Sequence, residues 1–390
     1  MSLENTDKTY VLNTYPRNYV NFVKGDNAKL FSDKGDEYID FTSGIGVVSV
    51  GHANKQVSEA ICSQVQNITH ISNLYLIEPQ AKLAKKIVEL SQLDAGVFFA
   101  NSGAEANEGA IKIARKYGEV DGEPKRYKVI TLENSFHGRT ISTLKATGQA
   151  SMHNYFGPFP DGFVYAKDID EIESLLDEHT VAVMIELVQG EGGVEPLDKQ
   201  KVQTLAKLLK EKDILLIVDE VQTGVYRTGE FLASNLYEIE PDIVTLAKGL
   251  GGGVPIGAVL TTKKDVLKVG DHGSTYGGNY LVTRASLEVI SILEKLELSK
   301  TIEFFSKKLD ELASKYPDVV TKAVGVGLMR GLRIKDADTL STIITNSFKE
   351  GVLVLKAGRN TLRFLPPLTI TKQEIEEGFE RVEKAFYSLC

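Results

Sequence analysis

The 390-residue sequence has few of the residues that build disulfide frameworks or metal sites. Its two cysteines, Cys62 and Cys390, lie far apart and form no CxxC motif, and its six histidines form no HExxH motif. Such spacing argues against a disulfide framework and a zinc site, and it is typical of a protein from a reducing compartment. We therefore expect no metal site and a cytoplasmic location.

Long apolar runs and patches of one charge are also missing. No stretch approaches the ~20 apolar residues that a membrane-spanning helix needs, and the polar N-terminus, MSLENTDKTY, lacks the apolar core of a signal peptide. The net charge is −8 with acidic and basic residues interspersed, so no basic stripe is available for a nucleic-acid backbone. Neither membranes nor nucleic acids are expected partners.

Two glycine-rich nucleotide-binding signatures are absent, although the sequence contains 34 glycines. GxxxxGK[ST] occurs nowhere, which excludes a P-loop NTPase with its Mg²⁺. No GxGxxG follows a predicted strand, because GLGGGVPIG has the glycines but not the spacing, and this excludes a dinucleotide-binding motif.

The sequence does contain a regular alternation of predicted strands and helices. Between residues 56 and 280, apolar runs alternate with segments of helical spacing, which is typical of a mostly parallel sheet covered on both faces. After residue 284, charged amphipathic helices precede short strands, which indicates a separate α+β domain. We predict a large domain at 56–284, a small domain at 285–390, and a segment at 1–55 that packs with the small domain. The candidate strands of the large domain are AGVFFA, RYKVITL, VAVMIEL, ILLIVDE and DIVTLA.

Two adjacent carboxylates end one of these runs. In ILLIVDEVQTG, Asp219 and Glu220 follow a continuous run of Ile, Leu and Val, which predicts a buried parallel strand. Open α/β sheets bind ligands at the carboxyl ends of such strands. With the NTPase excluded, three roles stay open for these carboxylates: an acid and base pair, the partner of a cationic cofactor nitrogen, and a solvated strand end.

Two further strand ends carry groups suited to a cofactor. In FFANSGAEANEG a strand is followed directly by a helix, and the small residues Ser102, Gly103 and Ala104 let backbone N–H groups approach an anion; a plain helix cap is the alternative. In TLAKGLGGG, Lys248 ends a buried strand just before a glycine turn. A partly desolvated lysine loses affinity for its proton and attacks carbonyls, whereas a solvated lysine would be unreactive.

One ligand satisfies all three strand ends. Pyridoxal phosphate has a phosphate for Gly103 and Ala104, an aldehyde for Lys248 and a ring nitrogen for Asp219. A carboxylate against the pyridine nitrogen keeps that nitrogen protonated, so that the ring can accept the charge of a carbanion. The cation that faces Asp219 is therefore predicted to be a pyridinium.

The motifs NSGAEANE, FHGRT, QGEGG, DEVQTG, AKGLGGG and HGSTYGGN occur in the order found in class III pyridoxal-phosphate aminotransferases. The chain resembles this family over essentially its whole length, with Leu187 where the family often has proline and Ala104 where many members have threonine. The resemblance implies a fold-type I transferase, with a large domain built on a mostly parallel seven-stranded sheet and a smaller α+β domain.

The resemblance also implies roles for residues around the cofactor. Lys248 and Asp219 would be catalytic, Phe136 would lie against the cofactor ring, and Gln222 would bind the ring hydroxyl. The phosphate would be bound by Ser102, Gly103 and Ala104, and by Thr275 of a partner subunit.

The resemblance also implies that a second group of residues contacts the substrate. Arg139 would bind the substrate α-carboxylate, because a planar guanidinium suits bidentate binding. Ser274 would line the partner's substrate site, so the protein would be a homodimer with shared active sites. Glu191 and Arg363 would form an ion pair that opens only when glutamate or 2-oxoglutarate arrives.

Within the family, the expected reaction moves the ω-amino group of N2-acetyl-L-ornithine to 2-oxoglutarate, giving N-acetyl-L-glutamate 5-semialdehyde and L-glutamate. Ornithine, 4-aminobutyrate, succinylornithine and succinyl-diaminopimelate remain alternative donors. A decarboxylase or mutase on the same fold also stays open. A cofactor-binding protein without turnover is disfavoured because Lys248, Asp219 and Arg139 are all present.

Overall fold

The computed structural model describes residues 2–387, so that Cys390 lies outside the described part of the chain. Within this range the helices are α1 (Leu3–Tyr10), α2 (Ser43–Gly46), α3 (Lys55–Asn67), α4 (Glu78–Ser91), α5 (Gly103–Tyr117), α6 (Ile141–Ala146), α7 (Ile172–Leu175), α8 (Lys199–Glu211), α9 (Ala233–Tyr237), α10 (Tyr280–Leu293), α11 (Leu298–Lys315), α12 (Ala337–Lys349) and α13 (Lys372–Tyr387). Short 3₁₀ helices lie at Ala150–Met152 and Lys248–Leu250.

The strands are short and most lie in three sheets. They are β1 (Phe22–Asp26), β2 (Lys29–Ser32), β3 (Glu37–Asp40), β4 (Gly96–Ala100), β5 (Lys128–Leu132), β6 (Phe163–Ala166), β7 (Thr180–Ile185), β8 (Val188–Gln189), β9 (Glu195–Pro196), β10 (Leu215–Asp219), β11 (Ile243–Leu246), β12 (Gly257–Thr261), β13 (Val320–Val326), β14 (Met329–Ile334), β15 (Val352–Leu353), β16 (Leu355–Ala357) and β17 (Thr361–Phe364).

A seven-stranded sheet forms the centre of the molecule, in the order β4-β12-β11-β10-β7-β5-β6. All neighbouring strands are parallel except β12, which is antiparallel to both β4 and β11. Every residue of β7 and β10 is buried, because helices cover both faces and neither face needs polar residues. This sheet confirms the predicted fold class. The candidate strands omitted two of its members, β6 and β12.

The N-terminal strands join the C-terminal part of the chain. β3 pairs in parallel with β15, with Ile39 opposite Val352, in a sheet of order β1-β2-β3-β15. Next to it, Phe41 packs between Phe305, Phe364 and Phe379, with ring centroids 5.5 to 6.0 Å away. Burial of such large aromatic side chains is a strong stabilising contribution. β3 and Phe41 are therefore held by contacts with residues that lie some three hundred positions away.

The predicted boundary between residues 284 and 285 falls inside helix α10. This helix packs against α3 and α4, whereas α11 and α12 pack with the antiparallel sheet of order β13-β14-β17-β16, and α13 packs with α11, α12 and the sheet that contains β3 and β15. The increase in charge along the sequence therefore does not coincide with the end of a helix. No helix among residues 2–387 is long and apolar enough to cross a bilayer.

Candidate active site

A cavity of about 470 Å³ opens at the carboxyl ends of the central strands. Parallel strands direct their carboxyl ends to one edge of a sheet, so loops that are distant in sequence meet there. The predicted site residues that line the cavity are Ser102, Gly103, Ala104, Phe136, Arg139, Asp219, Gln222 and Lys248.

One end of the cavity is formed by the N-terminus of α5. Ser102 is the N-cap, and its hydroxyl accepts the Glu105 N–H at 3.2 Å. The first N–H groups of a helix have no partner within the helix, so those of Gly103 and Ala104 are available to an anion. A Cβ at Gly103 would lie 2.7 Å from Val221 Cγ1, which leaves no room for a side chain in this tight turn.

Asp219 ends β10 and is almost fully buried in the cavity wall. Its Oδ2 lies 2.7 Å from Asn107 Nδ2 and 2.8 Å from His137 Nδ1, and its Oδ1 accepts the Val221 N–H at 3.0 Å. Thr245 in turn donates to Asn107 Oδ1 at 2.7 Å. These bonds fix the direction of the carboxylate.

Asn107 and His137 were not among the predicted site residues. Both lie in motifs that the sequence analysis singled out, NSGAEANE and FHGRT. The motifs mark them as candidates, but neither the spacing nor the residue type indicates that they meet at Asp219.

Glu220 does not share the cavity with Asp219, because successive residues of an extended chain face opposite sides. Its carboxylate accepts the N–H groups of Ala233 and Ser234 at 2.6 and 2.8 Å, and the Ser234 hydroxyl at 2.6 Å. Burial raises the pKa of Glu220 above its ordinary value, against the effect of these hydrogen bonds. Glu220 therefore holds the start of α9, and the interpretation of Asp219 and Glu220 as an acid and base pair is wrong.

Lys248 follows β11 and begins a short 3₁₀ helix. Its φ of 35° lies in the left-handed region, which is uncommon for a residue with a side chain. Burial lowers the pKa of its ammonium, and the nearby carboxylates of Glu191, Asp219 and Glu186 oppose this effect. The site therefore holds an amine that loses its proton more readily than a solvated lysine does.

Phe136 and Arg139 lie on the loop that follows β5. The guanidinium carbon of Arg139 lies 5.6 Å from the centre of the Phe136 ring, at cation–π distance. Arg139 is exposed, and within residues 2–387 it forms no ion pair. It is therefore a cation at the cavity that is available to an anionic ligand.

Glu191 and Arg363 lie beside the cavity and form an ion pair with a separation of 2.6 Å between Glu191 Oε1 and Arg363 Nη1. The Arg363 side chain is 3% exposed and that of Glu191 is 28% exposed. Arg363 Nη1 also lies 3.4 Å from Gln222 Oε1, which connects the pair to the cavity wall.

Ser274 and Thr275 do not line the cavity of their own chain. The Ser274 hydroxyl accepts Asn101 Nδ2 at 3.1 Å and the Gly277 N–H at 2.9 Å, and the Thr275 side chain is exposed. Ser274 is thus hydrogen-bonded to Asn101, which lines the cavity, but neither Ser274 nor Thr275 lines it in its own chain.

The sequence analysis also missed an acidic residue of the cavity. Glu186 follows β7 directly, lines the cavity and is 6% exposed. Burial raises its pKa to about 7, assisted by Asp219, while His137 and two backbone hydrogen bonds oppose the shift. Its place at the end of an apolar strand, in VMIEL, was a signal of the kind that identified Asp219.

The donor set of the cavity fits pyridoxal phosphate. Free N–H groups at Gly103 and Ala104 suit a phosphate, the Asp219 carboxylate suits a pyridinium, and the Lys248 amine suits an aldehyde. The close approach of Gly103 to Val221 forms a small cradle at the phosphate end. The fold and this site together define an enzyme of the pyridoxal-phosphate class.

The class III aminotransferase family matches residues 11–386, and the chain therefore belongs to this family. It is 60% identical to the acetylornithine aminotransferase of Wolinella succinogenes over 387 residues, which cover 98% of each chain. It is 46% identical to the acetylornithine aminotransferase of Aquifex aeolicus over 376 residues, 95% of this chain and 98% of the relative.

A solved structure with a similar fold is that of ornithine aminotransferase from Toxoplasma gondii. Its TM-score is 0.92 at 33% identity, covering 99% of this chain and 94% of that one, and it has pyridoxal phosphate at partial occupancy in its active site. Class III aminotransferases depend on pyridoxal 5′-phosphate, in agreement with the donor set of the cavity.

Proposed function

We propose that this protein is an acetylornithine aminotransferase of arginine biosynthesis. It moves the ω-amino group of N2-acetyl-L-ornithine to 2-oxoglutarate and yields N-acetyl-L-glutamate 5-semialdehyde and L-glutamate. The observation that carries the proposal is that two arginines near the Lys248 amine differ in their ion pairs. Within residues 2–387, Arg139 forms no ion pair, whereas Arg363 is neutralised by Glu191, and the cavity beside them fits pyridoxal phosphate. Identity of 60% with a relative of this name supports the choice of substrate.

Lys248 has two tasks in this proposal. Bound pyridoxal phosphate supplies an aldehyde that condenses with amines and a ring that accepts the electrons of the substrate carbon. Lys248 Nζ would hold the cofactor through this aldehyde, and its amine would carry the proton of the amine-bearing carbon of the substrate. Its lowered pKa suits both tasks, because only the neutral amine attacks a carbonyl or accepts a proton.

Asp219 provides the fixed negative charge of the site. Its carboxylate is proposed to face the ring nitrogen, and Asn107 and His137 keep it in that direction. A charge that is already oriented stabilises developing positive charge without reorganising during the reaction. Phe136 is proposed to lie against the ring and to exclude water, and Gln222 to bind the ring hydroxyl.

The two arginines explain how one site serves two different substrates. Acetylornithine places its α-carboxylate on Arg139 and its ω-amine at the reacting centre, while Glu191 neutralises Arg363. Glutamate and 2-oxoglutarate need a second cation for their other carboxylate, so they displace Glu191 and bind Arg363. The acylated nitrogen of acetylornithine is neutral, whereas free ornithine would bring an ammonium close to the unpaired Arg139.

We also propose a homodimer whose active sites are shared. Leu74 and Leu76 are 87% and 98% exposed, and Tyr276, next to Thr275, is 62% exposed. Asn73 Nδ2 donates to the carbonyls of Ser274 and Gly277, so these exposed segments lie side by side. An exposed apolar patch of this kind is typical of an interface, and Thr275 within it would reach the partner's phosphate.

The cysteine content agrees with a cytoplasmic enzyme.

A donor panel tests the substrate. The enzyme, loaded with pyridoxal phosphate and supplied with 2-oxoglutarate, is assayed with acetylornithine, ornithine, 4-aminobutyrate, succinylornithine and succinyl-diaminopimelate. We expect the highest kcat/KM for acetylornithine, with ornithine and 4-aminobutyrate each lower by about tenfold or more, since one misplaced charge or lost contact costs about 1.4 kcal/mol or more. An equal or higher kcat/KM for 4-aminobutyrate would overturn the substrate assignment but leave the transaminase assignment intact.

A further inference from the structure

Glu186 contacts two loops that face the substrate. Its Oε2 accepts the backbone N–H of Phe136 at 2.9 Å, and its Oε1 accepts the backbone N–H of Gly190 at 3.3 Å. The first loop carries Arg139 three residues later, and the second carries Glu191 one residue later. A single carboxylate at the end of β7 therefore joins the segment that carries Arg139 to the segment that carries Glu191.

The second loop is also attached on its far side. The Gly358 N–H donates to the Glu191 carbonyl at 2.8 Å. With Gly190 bonded to Glu186, the backbone on both sides of the Glu191 side chain is fixed, and the side chain keeps 28% of its surface exposed. The opening of the Glu191 ion pair is then a rotation of the side chain about a fixed backbone.

The geometry around Glu186 calls for a carboxylate and not for another polar group. Two N–H donors point at its two oxygens, and an ionised carboxylate accepts through both, whereas an amide would present an N–H₂ group to one of them. His137 and Asp219 act electrostatically on Glu186, and Glu186 acts on Lys248 together with Glu191, Arg363 and Asp219. Glu186 therefore lies inside the network of charges of the site.

We propose that Glu186 is a positioning residue that sets the spacing between Arg139 and Glu191 by accepting one backbone N–H from each of their loops. The roles of Arg139 and Glu191 rest on the proposed function, but the attachment of the two loops does not. A substrate that reaches from Arg139 to the reacting centre beside Glu191 binds well only when that spacing is kept. Glu186 itself contacts neither substrate nor reacting atoms in this proposal.

The variant Glu186→Gln tests this role because it keeps the shape and removes one of the two acceptors. Amide hydrogen exchange of the protein without cofactor or substrate should become about tenfold faster at Phe136 or Gly190, as expected for the loss of a charged hydrogen bond. In the loaded enzyme, KM for acetylornithine and for 2-oxoglutarate should both rise about tenfold, with a smaller change in kcat.

Glu220→Gln is the matched control. Glu220 is also a buried carboxylate at the end of a strand and also accepts two backbone N–H groups, but those of Ala233 and Ser234, away from the cavity. This variant should leave exchange at Phe136 and Gly190 unchanged and should not raise the two KM values together. If Glu186→Gln does not fold, Glu186→Asp keeps the charge but shortens the reach by about 1.5 Å and is measured in the same way.

The readouts separate this proposal from the proposed function. Unchanged exchange at both amides in a folded Glu186 variant would overturn the attachment of the loops. Faster exchange with unchanged KM values would overturn the positioning role. If the donor panel instead rejected acetylornithine, the substrate assignment would fail, while the exchange data would still decide whether Glu186 holds the two loops.

Discussion

The cavity has two walls that hold their charges in different ways. On the cofactor wall, formed by Asp219, Lys248 and the start of α5, Asp219 is buried and hydrogen-bonded to Asn107, His137, Val221 and Thr245. On the substrate wall, formed by Arg139, Glu191 and Arg363, Arg139 is exposed and the Glu191 carboxylate has a single ionic partner among the described residues.

The difference follows from what each wall has to do. The cofactor stays in place through both half-reactions, so a rigid, fully bonded carboxylate costs nothing to reorganise. Two substrates of different charge alternate on the other wall, so its ion pair has to open and close. A contact made by a partly exposed side chain is easier to exchange than one made by a buried network.

The largest expected effect comes from breaking the cofactor wall at Lys248. Lys248→Ala should lose the visible absorbance of the bound cofactor and lower kcat by roughly four to six orders of magnitude, because the covalent anchor and the proton carrier are both removed. Lys264→Ala, which changes an exposed lysine just after β12, should leave both unchanged. Near-normal turnover of Lys248→Ala would contradict the assignment.

A smaller loss is expected from Asp219→Asn, which keeps the shape of the side chain but removes its charge. Cofactor should still bind, while proton removal from the substrate slows by about 10²- to 10³-fold, as found when a preorganised charge is lost. Single-turnover absorbance measurements with acetylornithine give the rate. An unchanged rate would make Asp219 a structural strand end, as Glu220 is.

On the substrate wall, Glu191→Ala should change the preference and not the chemistry. Arg363 would stay free, so glutamate should gain as amino donor and acetylornithine should lose, by ~1 to 3 kcal/mol in the ratio of their kcat/KM values. The two half-reactions are measured separately. A ratio equal to that of the wild type would show that the Glu191 ion pair does not govern substrate choice.

The smallest effect is expected in stability, at Glu186, which joins the loops of Arg139 and Glu191 on the substrate wall. Its pKa is raised from 4.5 to about 7 in the folded protein, so the folded state binds more protons than the unfolded state in this window. The contribution of Glu186 to the free energy of unfolding should therefore fall as pH rises from about 4.5 towards 7, and this contribution should stay constant above pH 7. Without cofactor, the thermal unfolding temperature of Glu186→Gln should fall less than that of the wild type between about pH 4.5 and 7. The difference between the two falls should be about 2 to 4 °C. Parallel curves for both proteins would contradict the raised pKa.

Individual strands and helices show which parts of the fold could be predicted from the sequence. The runs that became β7 and β10 were recognisable because strands covered on both faces need apolar residues at every position. β6 and β12 are no shorter than β11 and β10, which were found, but they present a weaker apolar run. β6 lies at the edge of the sheet with two of its four residues only partly buried, and β12 starts at Gly257, the last residue of the glycine-rich stretch GLGGGVPIG. The predicted boundary at residue 284 stays a prediction; charge patterning reports exposure to solvent, and the increase in charge does not mark the end of α10.

By itself, the sequence determined the parallel sheet and the residues at its strand ends, Asp219, Lys248 and the turn at Gly103, and with them the cofactor. Local pattern is sufficient there, because parallel strands bring their carboxyl ends to the same edge whatever the connections between them. Only the tertiary structure decided which groups meet at that edge. Asn107 reaches Asp219 across 112 residues, Arg363 reaches Glu191 across 172, and Glu186 joins two loops while Glu220 turns away. Such contacts depend on the packing of distant segments, and no local spacing in the chain encodes them.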